Sequence, residues 1–224
     1  MLFIVATPIG NLEDITLRAI NVLNNADLIL AEDTRVTRVL LDRYNIKKDL
    51  ISYHQHSSFK KMDQIIGMLK DGKNLALVTD AGTPGISDPG GFLVSEALKA
   101  VPDLKVVPIP GANAAIAALS VSGFPADKFI FLGFPPHKKG RQTFFKKIGQ
   151  LENTIVFYES KHRIIKALES LRDLSLLGDR NIVVCRELTK QFETIYRGTV
   201  DELLPKFKLD KNNLGEFVVV IENK

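Results

Sequence analysis

The stretch Leu75-Ala76-Leu77-Val78-Thr79-Asp80-Ala81-Gly82-Thr83-Pro84-Gly85-Ile86-Ser87-Asp88-Pro89-Gly90-Gly91 decides how the rest of the sequence reads. The short apolar run Leu75–Val78 suits a strand buried on both faces. Asp80–Gly91, which follows it, holds four glycines and two prolines in twelve residues. Glycine lets a backbone approach a ligand closely and proline holds a loop in shape, so a plain connection would not need this composition. Asp80, Thr83, Ser87 and Asp88 add polar groups. Helical spacing then takes over across Gly90–Ala100. Strand, shaped loop and helix in succession make one unit of an α/β fold.

The same alternation fills the first half. Leu2–Ala6, Leu28–Ala31, Leu50–Tyr53 and Leu104–Ile109 read as further strands, and Asp14–Asn25, Thr34–Tyr44 and Ser57–Lys70 as helices. Met62, Ile65, Ile66 and Leu69 fall on one helical face. A mostly parallel sheet covered on both faces follows. The second half is richer in strands, at Phe129–Leu132, Thr154–Tyr158, Ile182–Cys185, Thr194–Arg197 and Phe217–Ile221. Helices are expected there at Gly140–Leu151, Lys161–Leu171 and Val200–Lys206, giving a mixed sheet. A Pro/Gly loop gives way to a small-residue helix near Ala112–Ala114, which divides the chain into α/β domains 1–113 and 114–224.

The 224 residues are 25% charged and 45% hydrophobic, which excludes disordered and low-complexity classes. A single cysteine, Cys185, cannot build a disulfide scaffold, and its apolar setting reads as an inert buried thiol. Met1–Ile4 lacks the basic region of a signal peptide, and Val106–Ala126 is broken by prolines and glycines, so neither a leader nor a membrane span is expected. Residues 1–115 carry 12 basic and 13 acidic side chains, residues 116–224 carry 18 and 13. Between Lys128 and Leu151 stand Lys128, Lys138, Lys139, Arg141, Lys146 and Lys147 with no acid. Such a field suits an anionic partner, and charge alone equally allows a solvated face.

Other strand ends also carry special residues. Ala6-Thr7-Pro8-Ile9-Gly10-Asn11 leaves the first strand, where open α/β sheets place ligands. Pro110-Gly111-Ala112-Asn113-Ala114 leaves the fifth and opens a helix whose first amides can meet a ligand or simply pack closely. Glu32-Asp33-Thr34-Arg35 places two acids at a helix start, as capping alone would do, and an arginine that capping does not explain. His54 and His56 have too few neighbouring ligands for zinc, and no metal is expected. Neither a phosphate-binding Gly-Lys-Ser/Thr nor Gly-x-Gly-x-x-Gly follows a strand, which argues against a common Rossmann methyltransferase site.

Taken together, Ala6–Leu12, Glu32–Arg35, Asp80–Gly90, Phe157-Tyr158-Glu159-Ser160 with His162 and Arg163, Arg186-Glu187-Leu188-Thr189-Lys190 and Gly215-Glu216 resemble the ribosomal RNA small subunit methyltransferase I family of the tetrapyrrole-methylase superfamily. The resemblance implies two α/β domains with S-adenosylmethionine in the cleft between them. It further implies a cytoplasmic homodimer that methylates the 2′-hydroxyl of a cytidine in the decoding region of small-subunit (16S) ribosomal RNA, free or in the assembled subunit. On that pattern Pro8, Asp80, Gly82, Thr83, Ser87, Pro110, Gly111 and Ala114 fall on the cofactor side. Two departures stand out: Ala112-Asn113-Ala114 replaces the more usual Pro-Ser/Cys-Ala, and the sequence ends at Lys224, where many members continue into a helical extension.

A methyl transfer rests largely on alignment, and a ribose hydroxyl needs help to lose its proton. Glu32, Glu159 and Glu187 are the candidate bases, and the residues leave the choice open. RNA contacts are expected from Arg35, Lys138, Lys139, Arg141, His162, Arg163, Arg186 and Lys190. A small-molecule methylase of the same superfamily, acting on a tetrapyrrole or modified histidine, is the first alternative. The second is a non-catalytic RNA-binding module, and the intact Asp80–Gly90 loop counts against it.

Overall fold

The computed structural model describes residues 1–54, 59–173, 177–209 and 214–224. Two compact units appear, Met1–Asn113 and Ala114–Lys224. In the first, strands β1 (Leu2–Val5), β2 (Leu28–Ala31), β3 (Leu50–Ser52), β4 (Leu75–Val78) and β5 (Val106–Ile109) alternate with helices α1 (Leu17–Asn25), α2 (Thr34–Arg43), α3 (Phe59–Lys70) and α4 (Gly90–Ala100). The sheet order is β3-β2-β4-β1-β5 and every pair is parallel.

Both faces of this sheet are covered because successive strand residues point to opposite sides. Val5, Ile29, Ala31, Ala76 and Val78 meet Ala19 and Leu23 of α1 and Leu41 of α2. Leu2, Leu30, Leu75 and Leu77 meet Ile65 and Leu69 of α3 and Leu93 and Ala97 of α4. Each fully buried leucine or isoleucine contributes about 1.5–3 kcal/mol relative to exposure, so these two layers hold the unit together.

Local competition moves some boundaries. The helix expected from Asp14 starts at Leu17, because Thr16 caps it by accepting from the Ala19 amide. Leu12–Asp14 forms a separate 3₁₀ turn capped by Asn11. The fifth strand begins at Val106, since the Leu104 amide turns back to the Val101 carbonyl. Ser57, where a helix was expected to start, lies outside the described residues.

The second unit holds α5 (Ala114–Ser122), β6 (Phe129–Phe131), α6 (Arg141–Gln150), β7 (Thr154–Ser160), α7 (Ile164–Asp173), β8 (Ile182–Arg186), β9 (Thr194–Gly198), α8 (Val200–Leu209) and β10 (Glu216–Ile221). Its sheet runs β6-β7-β10-β8-β9, parallel at β6–β7 and antiparallel elsewhere. Phe145 and Ile148 of α6, Ala167 and Leu168 of α7 and Leu203 and Phe207 of α8 pack on Ile155, Phe157, Val184 and Val219. Helix α5 lies against β7 and β10, its small buried residues Ala115 and Ala118 allowing a close approach. The helix expected from Lys161 starts at Ile164, after a turn in which the Arg163 amide donates to Ser160. No helix among the described residues is long and apolar enough to cross a membrane.

A strained turn links β8 to β9. Glu187 and Thr189 both have positive φ, 51° and 64°, a region that costs an ordinary residue about 1–3 kcal/mol. Gly215, with φ 108°, lies so close that a β-carbon there would sit 2.5 Å from the Glu187 side chain. Gly215→Ala should therefore lower stability by about 1–3 kcal/mol, read as an earlier midpoint in urea unfolding. Cys185 is fully buried in β8, and burial pushes its thiol up from 9.0 to about 11. The unfolded thiol ionises first, so this group's contribution to stability is complete below pH 9 and is lost as pH rises towards 11. At pH 8 the native protein should leave Cys185 unmodified by a thiol reagent, with full reaction only after denaturation.

Candidate active site

Strands β1 and β4 are neighbours, yet their onward connections leave in opposite directions. The chain after β1 passes over β4 to reach β2, and the chain after β4 passes over β1 to reach β5. An open parallel sheet forms its ligand crevice at the carboxyl edge of such a pair. Here Ala6–Asn11 and Thr79–Pro89 flank it, and the loop after β5 lies next to β1. The special loops of the sequence therefore converge on one edge of the first unit.

These loops are stitched together. Thr7 and Gly82 exchange backbone hydrogen bonds of 2.9 and 3.0 Å, and the Thr7 hydroxyl donates to the Thr79 carbonyl. Gly82 holds φ at +86°, a conformation that side chains resist. The Thr83 hydroxyl donates to the Ala112 carbonyl at 3.1 Å, tying the β4 loop to the β5 loop. Gly111 presses on Ala6, where a β-carbon would approach to 2.9 Å. Asp88 shapes the far end of its loop, its Oδ1 accepting from the Gly85 and Gly90 amides at 2.7 Å each. Its other oxygen, Oδ2, is buried with no hydrogen-bond partner. Pro8 is buried while Ser87 and Pro110 are exposed, so seven of the eight cofactor candidates share this edge. The eighth, Ala114, opens α5 in the second unit.

An acidic cluster completes the edge. Glu32 accepts from the Thr79 hydroxyl at 2.6 Å, and Asp80 accepts from the Asp33 amide at 2.9 Å. Partial burial, with the Glu32 and Asp33 carboxylates nearby, pushes the Asp80 carboxyl above its ordinary range. Asp33 caps α2 by accepting from the Arg35 amide and also grips the Arg35 side chain through Nε and one terminal nitrogen. That grip is the main reason the Asp33 carboxyl falls to about 2. Arg35, which capping left unexplained, is thus held by the cap itself with 88% of its side chain in solvent.

The second unit spends its carboxylates differently. Glu159 is 1% exposed, with Arg141 on Oε2 at 3.2 Å and both Arg163 and the Ser160 amide on Oε1. Glu187 accepts from the Glu216 amide and from Lys190 Nζ. Burial alone would push the Glu187 carboxyl above the ordinary carboxylate range, and these bonds outweigh that and hold it below. Lys190 also reaches Glu216 at 3.0 Å, and Arg186 donates to the Leu214 carbonyl. Lys138, Lys139 and His162 are exposed. Arg141, read with the lysines as part of one basic run, instead turns inward to Glu159. The Arg141 partnership and the buried Asp88 oxygen had no local signal in the sequence. His56 lies outside the described residues, and among those described no three potential metal ligands cluster.

Comparison with known proteins agrees with this architecture. Residues 1–204 match the family model of the tetrapyrrole (corrin/porphyrin) methylases. The ribosomal RNA small subunit methyltransferase I of Thermotoga maritima is 46% identical over 223 residues, covering 100% of this chain and 98% of that protein. The protein of the same name from Escherichia coli O157:H7 is 47% identical, with 99% and 77% covered. Among solved structures, a diphthine synthase superposes with TM-score 0.74 at 15% identity, covering 99% of this chain and 89% of that one. A cobalt precorrin-4 methyltransferase gives 0.70 at 17%, covering 99% and 94%. The chain is therefore a methyltransferase that belongs to the tetrapyrrole methylase family, in its ribosomal RNA small subunit methyltransferase I branch.

Proposed function

We propose that this protein transfers a methyl group from S-adenosylmethionine to the 2′-hydroxyl of a cytidine in the decoding region of small-subunit ribosomal RNA. The observation that carries the reading is the stitched carboxyl edge of β1, β4 and β5, where glycine-rich loops and acids converge. The names of relatives 46–47% identical along the chain support the RNA substrate. A cytoplasmic homodimer accompanies the same family resemblance.

The edge suits such a donor. Backbone at Gly82 and Gly111 is free of side chains, Asp88 has an unpaired buried oxygen, and Glu32 and Asp80 supply carboxylates for a cation. Pro8, Asp80, Gly82, Thr83, Ser87, Pro110 and Gly111 are the residues to hold it. When bound, S-adenosylmethionine supplies an electrophilic methyl on a positively charged sulfur. This chain's task is then to align the ribose oxygen and accept its proton. Glu159 has both oxygens engaged by two guanidiniums and an amide, and Glu187 is engaged by Lys190 and the Glu216 amide. Glu32, hydrogen-bonded by a neutral hydroxyl, is the carboxylate left to take that proton. Arg35, Lys138, Lys139 and His162 offer exposed contacts to phosphates, and Arg163, Arg186 and Lys190 are half-buried candidates.

Incubation with methyl-labelled S-adenosylmethionine and small-subunit ribosomal RNA, free or assembled, should place label on the 2′-oxygen of one cytidine, read as an alkali-resistant dinucleotide. Label on a base, or none on either substrate, would sink the reading. Gly82→Val should abolish donor binding by calorimetry, with circular dichroism checking the fold because φ is positive there. Unchanged donor affinity would remove this loop from the site. The double change Lys138→Ala and Lys139→Ala should weaken RNA binding, lower the salt slope by about one unit per lysine and leave donor affinity alone. Wild-type affinity and slope would reduce these lysines to a solubilising face.

A further inference from the structure

The segment Gly133-Phe134-Pro135-Pro136-His137-Lys138-Lys139-Gly140 joins β6 to α6 and is held more firmly than its exposure suggests. The Tyr158 amide donates to the Gly133 carbonyl at 2.9 Å. Arg163 donates to the Pro135 carbonyl at 3.0 Å and Arg141 to that of Pro136 at 3.4 Å. Both guanidiniums are anchored on the buried carboxylate of Glu159. Burying such a charge cluster brings little net stability, since desolvation offsets the attraction, whereas it does fix geometry. What it fixes here is a loop backbone already stiffened by two prolines.

The exposed part of that loop has a definite chemistry. Phe134 is 52% exposed. From inside the unit it meets the Tyr158 ring, with centroids 5.3 Å apart. Tyr158 is held in turn by Phe131 at 5.0 Å and by the Ala115 amide, which donates to its hydroxyl. His137, Lys138 and Lys139 follow in solvent, and no acid occurs from Lys128 to Leu151. An aromatic face buttressed from within and flanked by cations matches what unpaired nucleotides need: a surface to stack on and charges for the phosphates. A folded peptide or a second copy of this chain would also cover an exposed phenylalanine, but neither needs cations free of acids beside it.

We infer that Phe134 is a stacking platform for an unpaired base of the RNA substrate, presented by the preformed Gly133–Gly140 loop. This rests on the ribosomal RNA reading above and adds the residue that grips a base. Stacking contributes independently of ionic contacts, so its loss lowers affinity without changing how affinity responds to salt.

The protein contains no tryptophan, so Phe134→Trp introduces its one tryptophan, excited selectively over the four tyrosines, at the proposed platform. Titration with deproteinised small-subunit ribosomal RNA should quench its emission, as a base stacks on the indole, and should retain wild-type affinity. Phe134→Ala should bind the same RNA, and assembled subunits, on the order of tenfold more weakly with an unchanged salt slope. Its donor affinity should stay at the wild-type value. Unaltered RNA affinity in Phe134→Ala, or unquenched tryptophan at saturating RNA, would overturn the stacking role while leaving the ribosomal RNA reading intact. A changed sedimentation coefficient for Phe134→Ala would overturn it too, by assigning the ring to a contact between copies. Failure of the wild type to bind either RNA would overturn both readings together.

Discussion

Two backbone hydrogen bonds, exchanged by Thr7 and Gly82, underlie the looped carboxyl edge of the first unit. The strands they join send their chains to opposite sides of the sheet, so without a tie the two loops would diverge. The tie demands a positive φ at Gly82, and it brings Thr83 within reach of the Ala112 carbonyl. From there the constraint spreads to the β5 loop and to Gly111 against Ala6. Glycine at these positions thus has two duties. It permits the close backbone contacts that build the edge, and it leaves that edge clear of side chains.

The acids of the chain divide by environment. In the first unit Glu32, Asp33 and Asp80 lie together, and partial burial, helped by the two neighbouring carboxylates, makes Asp80 harder to ionise. In the second unit Glu159 and Glu187 are surrounded by cations and amides. Acids stand near strand ends in both units, yet their partners differ: a neutral hydroxyl for Glu32, two guanidiniums for Glu159. The second unit's acids serve to hold backbone and arginines where the sheet ends, including the strained turn at Glu187.

Much of the first unit was legible because its signals are local. Four-residue apolar runs, capping residues and Gly/Pro loops each depend on neighbours in sequence, and β2, β4 and α4 begin and end where the pattern placed them. Errors fell where one residue decides a boundary, as when Thr16 starts α1 late. Partnerships across long separations were not legible. Arg141 and Glu159 are 18 residues apart, and nothing in the basic run indicated that one of its members would turn inward. The buried oxygen of Asp88 was equally silent, since it depends on how the whole loop folds. The Asp80–Gly90 loop, by contrast, announced itself through composition, because close backbone packing restricts which residues fit.

Arg35 shows how folding can set an exposed side chain in place in advance of any contact. A free arginine has about 2 kcal/mol of rotamer entropy, much of which is lost on contact with an anion. Here the loss occurs during folding, when Asp33 grips the guanidinium. Because the Asp33 carboxyl titrates near 2, the grip persists at any pH a cell reaches. The same aspartate cancels much of the arginine's charge, so Arg35 adds little to long-range attraction. What a preset guanidinium offers an anion is direction: a rigid fork of donors rewards a correctly oriented phosphate or carbonyl and gives a misaligned one almost nothing.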